Sequence, residues 1–186
     1  MEPARIIRVM SDRETELMLA VRGGSAGAFK ELYEAYQKPL ANFLYRMCWN
    51  RSLVDDLVQE VFLRVWRARE QYEPSAKVST YLFRIASNLW INHAEKKKES
   101  ALGEGDRTAG ETPPDPLELG EARQAVKRAV EALPEGERLC LVLSEYNGLK
   151  YAEISEVLGI PVGTVKSRIF SAVQRLKVAL KDHKSG

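Results

Sequence analysis

Histidine and cysteine are scarce in this chain of 186 residues, which has two of each. His93 and His183 lie far apart in the sequence, so a histidine metal site or a Cys/His nucleophile pair has little to be built from. Cys48 and Cys140 each sit among apolar or aromatic neighbours, Met47 and Trp49 for one, Leu139 and Leu141 for the other. They read as buried, reduced thiols, because disulfide and metal sites normally bring more cysteines at closer spacing. No apolar run approaches the ~18–20 residues that cross a bilayer. The first ten residues, Met1-Glu-Pro-Ala-Arg-Ile-Ile-Arg-Val-Met10, lack the apolar stretch of a secretory signal, so the chain is expected to stay in the cytoplasm. No strand-like alternation competes with the helical periods, and no strong excess of one charge is present, the net being +2.

That small net charge hides a segregation. Between Glu99 and Glu121 the acids Glu99, Glu104, Asp106, Glu111, Asp115, Glu118 and Glu121 face Arg107 alone. From Arg138 onward the bases Arg138, Lys150, Lys166, Arg168, Arg175, Lys177, Lys181 and Lys184 outnumber Glu145, Glu153, Glu156 and Asp182. A basic C-terminal unit behind an acidic connector points toward a nucleic-acid partner.

Apolar residues recur at helical spacing almost throughout. Ser11-Asp-Arg-Glu14 is a capping-box pattern ahead of Leu17, Leu19, Ala20 and Val21, with Gly23-Gly24 as a stop. A long helix is expected over 25–49, bent or loosened at Pro39. Ser52-Leu-Val-Asp55 caps a third helix with the stripe Leu57, Val58, Val61, Phe62, Val65 and Trp66, and a fourth is expected over 79–98. The Gly-, Pro- and acid-rich run Gly103 to Pro116 has no apolar period and is too long for an ordinary inter-helix loop. Further helices are expected over 117–133, 134–146, 151–158 and 162–181. The fold class is all-α: two small helical domains, 1–99 and 121–186, joined by a flexible acidic linker over 100–120.

The run Tyr151-Ala-Glu-Ile-Ser-Glu-Val-Leu-Gly-Ile-Pro-Val-Gly-Thr-Val-Lys-Ser-Arg-Ile-Phe170 has the pattern of a helix-turn-helix. Ile154, Leu158, Ile160, Val165 and Ile169 fall on the inward positions, Ser155 is small at the crossing, and Gly159 supplies a left-handed turn residue. Pro161 tolerates its missing N–H just before the second helix. Thr164, Lys166, Ser167, Arg168 and Ser171 are expected to face outward, near the helix end that meets base edges and phosphates in the major groove.

The flanks narrow this reading. Ala132-Leu-Pro-Glu-Gly-Glu-Arg138, then Leu141, Val142, Leu143, Tyr146, Gly148-Leu149 and Tyr151-Ala-Glu-Ile, resembles the promoter-binding C-terminal domain of bacterial sigma factors. Val162-Gly-Thr-Val-Lys-Ser-Arg168 looks like the recognition helix of their extracytoplasmic-function group. For the minus-thirty-five element the resemblance implies contacts from Thr164, Lys166, Ser167, Arg168, Phe170 and Ser171.

The N-terminal half carries the same likeness. Asp55-Asp-Leu-Val-Gln-Glu-Val-Phe-Leu-Arg-Val-Trp66 resembles the helix that grips the clamp helices of the polymerase's largest subunit, with Asp55, Asp56, Gln59, Glu60 and Arg64 as the polymerase-binding set. Ser79-Thr-Tyr-Leu-Phe-Arg-Ile-Ala-Ser-Asn-Leu-Trp90 is similar to the segment that opens DNA and reads the minus-ten element. The likeness makes Tyr81, Phe83 and Asn88 pocket-lining residues, and the loop before them, with Tyr72, Ser75 and Lys77, the specificity loop. Captured unpaired bases stack on aromatic rings, at roughly 1–3 kcal/mol each. Lys96, Lys97 and Lys98 either complement the end of their helix or contact duplex phosphates upstream. Asn88 has a further claim, since an amide on an apolar helix needs a partner.

The chain departs from the family where Tyr81 replaces the usual Trp, where Asn92-His-Ala-Glu95 replaces an Asp followed by bases, and at Ser171, often basic in relatives. The resemblance implies a sigma factor that directs core RNA polymerase to promoters, binds double- and single-stranded promoter DNA, needs no cofactor or metal, and is held by an anti-sigma protein. It routes the acidic linker through the polymerase channel. Two other classes stay open from the residues alone. A polymerase-independent regulator would be a dimer on a palindromic operator. A metal-dependent nucleic-acid enzyme would have only Asp55, Asp56 and Glu60 to work with.

Overall fold

The structure, a computed structural model, describes the backbone of residues 3–103 and 121–181 and, within these, the side chains of 13–100, 121 and 123–181. The all-α expectation holds: the described residues form eight α-helices and no strand. These are α1 (Pro3–Arg22), α2 (Ala26–Cys48), α3 (Arg51–Arg67), α4 (Val78–Gly103), α5 (Glu121–Glu131), α6 (Glu135–Leu141), α7 (Tyr151–Leu158) and α8 (Val162–Lys181). The expected linker falls outside the described residues from 104 to 120.

Boundaries differ from the sequence pattern in instructive ways. α1 runs through Ser11 without a break, so that capping pattern lies in a helix interior. Gly24, at φ 87°, ends the turn that follows, where a side chain would strain the backbone. α2 is capped by Ser25, whose Oγ accepts from Ala28 N at 3.2 Å, and it stays helical through Pro39. α3 is capped by Asn50 and not by Ser52: Asn50 Oδ1 accepts from Leu53 N at 3.1 Å. α4 continues five residues past Lys98, which puts the three lysines inside the helix and removes them from its terminal turn. After α6 the chain widens into a π-helical stretch, Val142–Tyr146.

α1 to α4 bury Leu32, Leu40, Phe43, Leu44, Val61, Val65 and Leu82 completely. Each such side chain contributes about 1.5–3 kcal/mol by leaving water. α7 and α8 bury Ile154, Val165 and Ile169 as the helix-turn-helix pattern requires, Leu158 and Ile160 are half-buried against the same core, and Val157, outside the expected set, is buried too. The two expected units are in contact. α7 lies on α4, and one continuous core runs from Met18 to Ile169 across both halves.

Polar contacts close that junction. Lys77 Nζ pairs with Glu153 Oε1 at 2.5 Å, and Arg84 Nε donates to Glu156 O at 3.2 Å. Lys98 pairs with Glu135 at 2.9 Å, and Asn147 Nδ2 donates to Pro39 O at 3.3 Å. Arg46 stacks over the Tyr146 ring at 4.0 Å. Between these contacts a cleft of about 560 Å³ opens, lined in part by Arg46, Lys77, Phe83, Tyr146 and Glu153.

Candidate nucleic-acid interface

The helix-turn-helix turn is built from its own backbone. Gly159 sits at φ 64°, Ile160 N donates to Ser155 O at 3.2 Å, and Ser155 Oγ donates back to Ile160 O at 2.5 Å. Ser155 is thus more than a small residue at a crossing, since its hydroxyl stitches the turn. Pro161 O accepts from Thr164 N and Val165 N, which starts α8.

α8 turns its residues as 3.6-per-turn geometry demands. Val165, Ile169 and Ala172 are buried, and Lys166, Ser167 and Phe170 are exposed, Phe170 by 66%. Thr164 and Ser171 are half-buried on the flanks. Arg168 departs from its expected outward position: it is half-buried, with its guanidinium against Gly136 of α6. Burial pushes the nearby Cys140 thiol up, while the Arg168 charge and hydrogen bonding pull against that rise. Arg175, two turns on, pairs with Glu137 at 3.1 Å.

The expected minus-ten residues divide. Phe83 is 3% exposed, with its ring edge-on to Phe43 at 5.7 Å and 90°. Tyr72 is equally buried, 5.3 Å from the half-buried Tyr81, and burial raises both hydroxyl pKa values. Ser75, Lys77 and Asn88 are exposed. Asn88 therefore meets water, and the case built on its needing a partner in an apolar setting lapses. Lys96, Lys97 and Lys98 are exposed along α4.

Glu153 holds the junction electrostatically. Burial alone would raise its pKa, but the Lys77 hydrogen bond, the Lys150 N–H and both lysine charges outweigh burial and hold it below the ordinary carboxylate value. A depressed pKa stabilises the closed form above the usual carboxylate range, and that contribution is lost as pH falls through the depressed value. Acidification through that depressed value should therefore loosen the junction and widen the mean separation of fluorophores placed on α4 and α7. Glu153→Gln should already show the wider separation at neutral pH and lose the acid step; an unchanged acid step would contradict the assignment.

α3 turns Val54, Leu57, Val58, Val61, Phe62 and Val65 inward. Its other side carries exposed Asp55, Asp56 and Gln59, and Glu60 pairs with Arg64 at 2.8 Å. Sequence reasoning missed Leu63, 46% exposed in the middle of this face. The spacing 56, 59, 60, 63 was the available signal, since these positions share one side of a helix.

Two family descriptions match the chain: Sigma-70 region 2 over residues 32–100 and Sigma-70 region 4 over 123–176. It is 33% identical over 175 residues to the ECF RNA polymerase sigma factor SigW of Bacillus subtilis, covering 87% of this chain and 94% of that one. It is 34% identical over 178 residues to the ECF RNA polymerase sigma-E factor of Escherichia coli, covering 88% and 93%. Among solved structures it shares its fold with CnrH, in complex with the cytosolic domain of CnrY, at TM-score 0.70, 24% identity and coverage of 89% and 96%. The sigma factor RpoE from Bartonella quintana, in complex with the anti-sigma factor NepR, also gives TM-score 0.70, with 23% identity and coverage of 82% and 96%.

Proposed function

We propose how this chain, which belongs to the extracytoplasmic-function sigma factors of RNA polymerase, carries out promoter-specific initiation. The outer face of α3 docks on the clamp helices of the core enzyme. The unit of residues 1–99 takes the minus-ten element through Ser75, Lys77, Tyr81 and Asn88, with Tyr72 and Phe83 holding Tyr81 and α4 from behind. Lys96, Lys97 and Lys98 meet duplex phosphates upstream. The unit of residues 121–186 lays α8 in the major groove at the minus-thirty-five element. The chain supplies specificity and no catalysis of its own, and it works with the polymerase in the cytoplasm.

One observation carries this reading: a helix-turn-helix whose second helix exposes Lys166, Ser167 and Phe170 together. Lys166 suits a phosphate or a guanine edge, Ser167 either base type, and Phe170 a thymine methyl. The minus-ten and minus-thirty-five elements lie one and a half to two helical turns apart, about 50–70 Å. α4 and α7 are in contact, so the protein must open on the polymerase before both units can engage. An anti-sigma protein, of the kind bound to the Bartonella relative, would act by holding it shut.

Titration against core polymerase tests the docking face. Leu63→Glu should weaken binding roughly tenfold or more by placing a charge at the centre of a desolvated contact. An unchanged affinity would remove α3 from the interface.

A further inference from the structure

Arg168 sits among residues that the reading above assigns to DNA, yet it points elsewhere. On a helix that advances about 100° per residue, positions 168 and 170 lie about 200° apart, as do 166 and 168. No rotation of α8 lets Arg168 share one face with both Lys166 and Phe170. The buried set Val165, Ile169 and Ala172 fixes which side is out, and Arg168 falls beside that set. Its guanidinium lies flat against the first turn of α6. A Cβ added to Gly136 would come within 3.0 Å of Cζ and Nη1 and 3.3 Å of Nε. A side chain at 136 would make the guanidinium give by a few tenths of an ångström. Two turns further along, Arg175 pairs with the partly buried Glu137 next to the slot.

We propose that Arg168 is a positioning residue: its guanidinium, seated on Gly136, clips α8 to α6 and sets the rotation at which Lys166, Ser167 and Phe170 are presented to base edges. The inference rests on the reading that this unit binds the minus-thirty-five element. Gly136 matters here for what it lacks, because a methyl group in its place would press on the guanidinium and shift it from its seat. A planar guanidinium fills such a flat slot in a way that the compact ammonium of lysine does not.

The test uses the full chain bound to core polymerase, on promoters carrying each single base change in the minus-thirty-five element. A base-contacting arginine would relax preference at one base pair, and a phosphate-contacting one would lower the salt slope by about one. Arg168→Ala should do neither. It should lower discrimination at every position of the element together, roughly tenfold in the ratio of consensus to scrambled promoter, with the salt slope unchanged. Lys166→Ala, in the same assay, should lower that slope.

Gly136→Ala separates the clip from general stability, because it displaces the guanidinium without deleting it and leaves a better helix former in place. It should reproduce part of the Arg168→Ala loss and add nothing in the double variant, a coupling between two contacting positions. Loss confined to one base pair, a reduced slope for Arg168→Ala, or additive effects of the two changes would each overturn the proposal. So would a fall in thermal stability with discrimination intact. A wild-type holoenzyme indifferent to the element would instead sink the underlying functional reading.

Discussion

A short cleavable bridge between positions 77 and 153 should silence promoter-directed transcription, and cutting the bridge should restore it. Lys77 and Glu153 form an ion pair across the junction of α4 and α7, so cysteines at those positions can be joined by a cleavable linker about as long as the two side chains it replaces. The native thiols interfere little: Cys140 is fully buried, and burial raises the pKa of Cys48, which keeps its thiolate fraction low. Bridged protein keeps α4 against α7 and cannot span two elements about 50–70 Å apart. Transcription should fall to the level of core polymerase alone. The unbridged double variant sets the baseline: it lacks Lys77 from the minus-ten set and initiates less well than the wild type, and cutting the bridge should return transcription to that level. Full activity with the bridge in place would mean that the closed arrangement is itself competent.

Phe83→Ala should cost about 3–5 kcal/mol of stability, the range for removing a buried aromatic ring from a packed core. That is roughly a 10²–10⁴-fold loss in the folded-to-unfolded ratio, visible as a lower urea midpoint at unchanged slope. The size follows from the position: Phe83 is 3% exposed and meets Phe43, itself fully buried, edge to face. Tyr81→Ala, at a half-buried site, should cost less stability and more promoter opening. If Phe83 stacked on a captured base, its removal would leave the urea midpoint almost unchanged and abolish opening.

The helix-turn-helix was legible in the sequence because its signals are local. Ile154, Val165 and Ile169 repeat at helical spacing, Gly159 marks the turn, and all behave in the structure as local rules require. Helix starts were less legible: Asn50 caps α3 where Ser52 looked adequate, and α1 passes through Ser11, since several polar residues can cap and only backbone geometry chooses among them. The junction of the two halves was invisible, because Lys77 with Glu153 and Arg46 with Tyr146 join positions far apart in the chain. At the site, the resemblance named the segments but not the facing. Arg168 is the clear case: its angle relative to Phe170 was in the sequence all along, whereas the slot over Gly136 was not. Phe83 and Tyr72 show the same limit, because an aromatic on an amphipathic helix serves a core and a base pocket equally well until its neighbours are known.

Run-off transcription with core polymerase on a randomised promoter library measures the central claim directly. The account predicts start sites chosen by two short elements at a fixed spacing, the upstream preference lost in Phe170→Ala and the downstream preference weakened in Asn88→Ala. Protein that binds core polymerase yet leaves start-site choice as random as with core alone would contradict it.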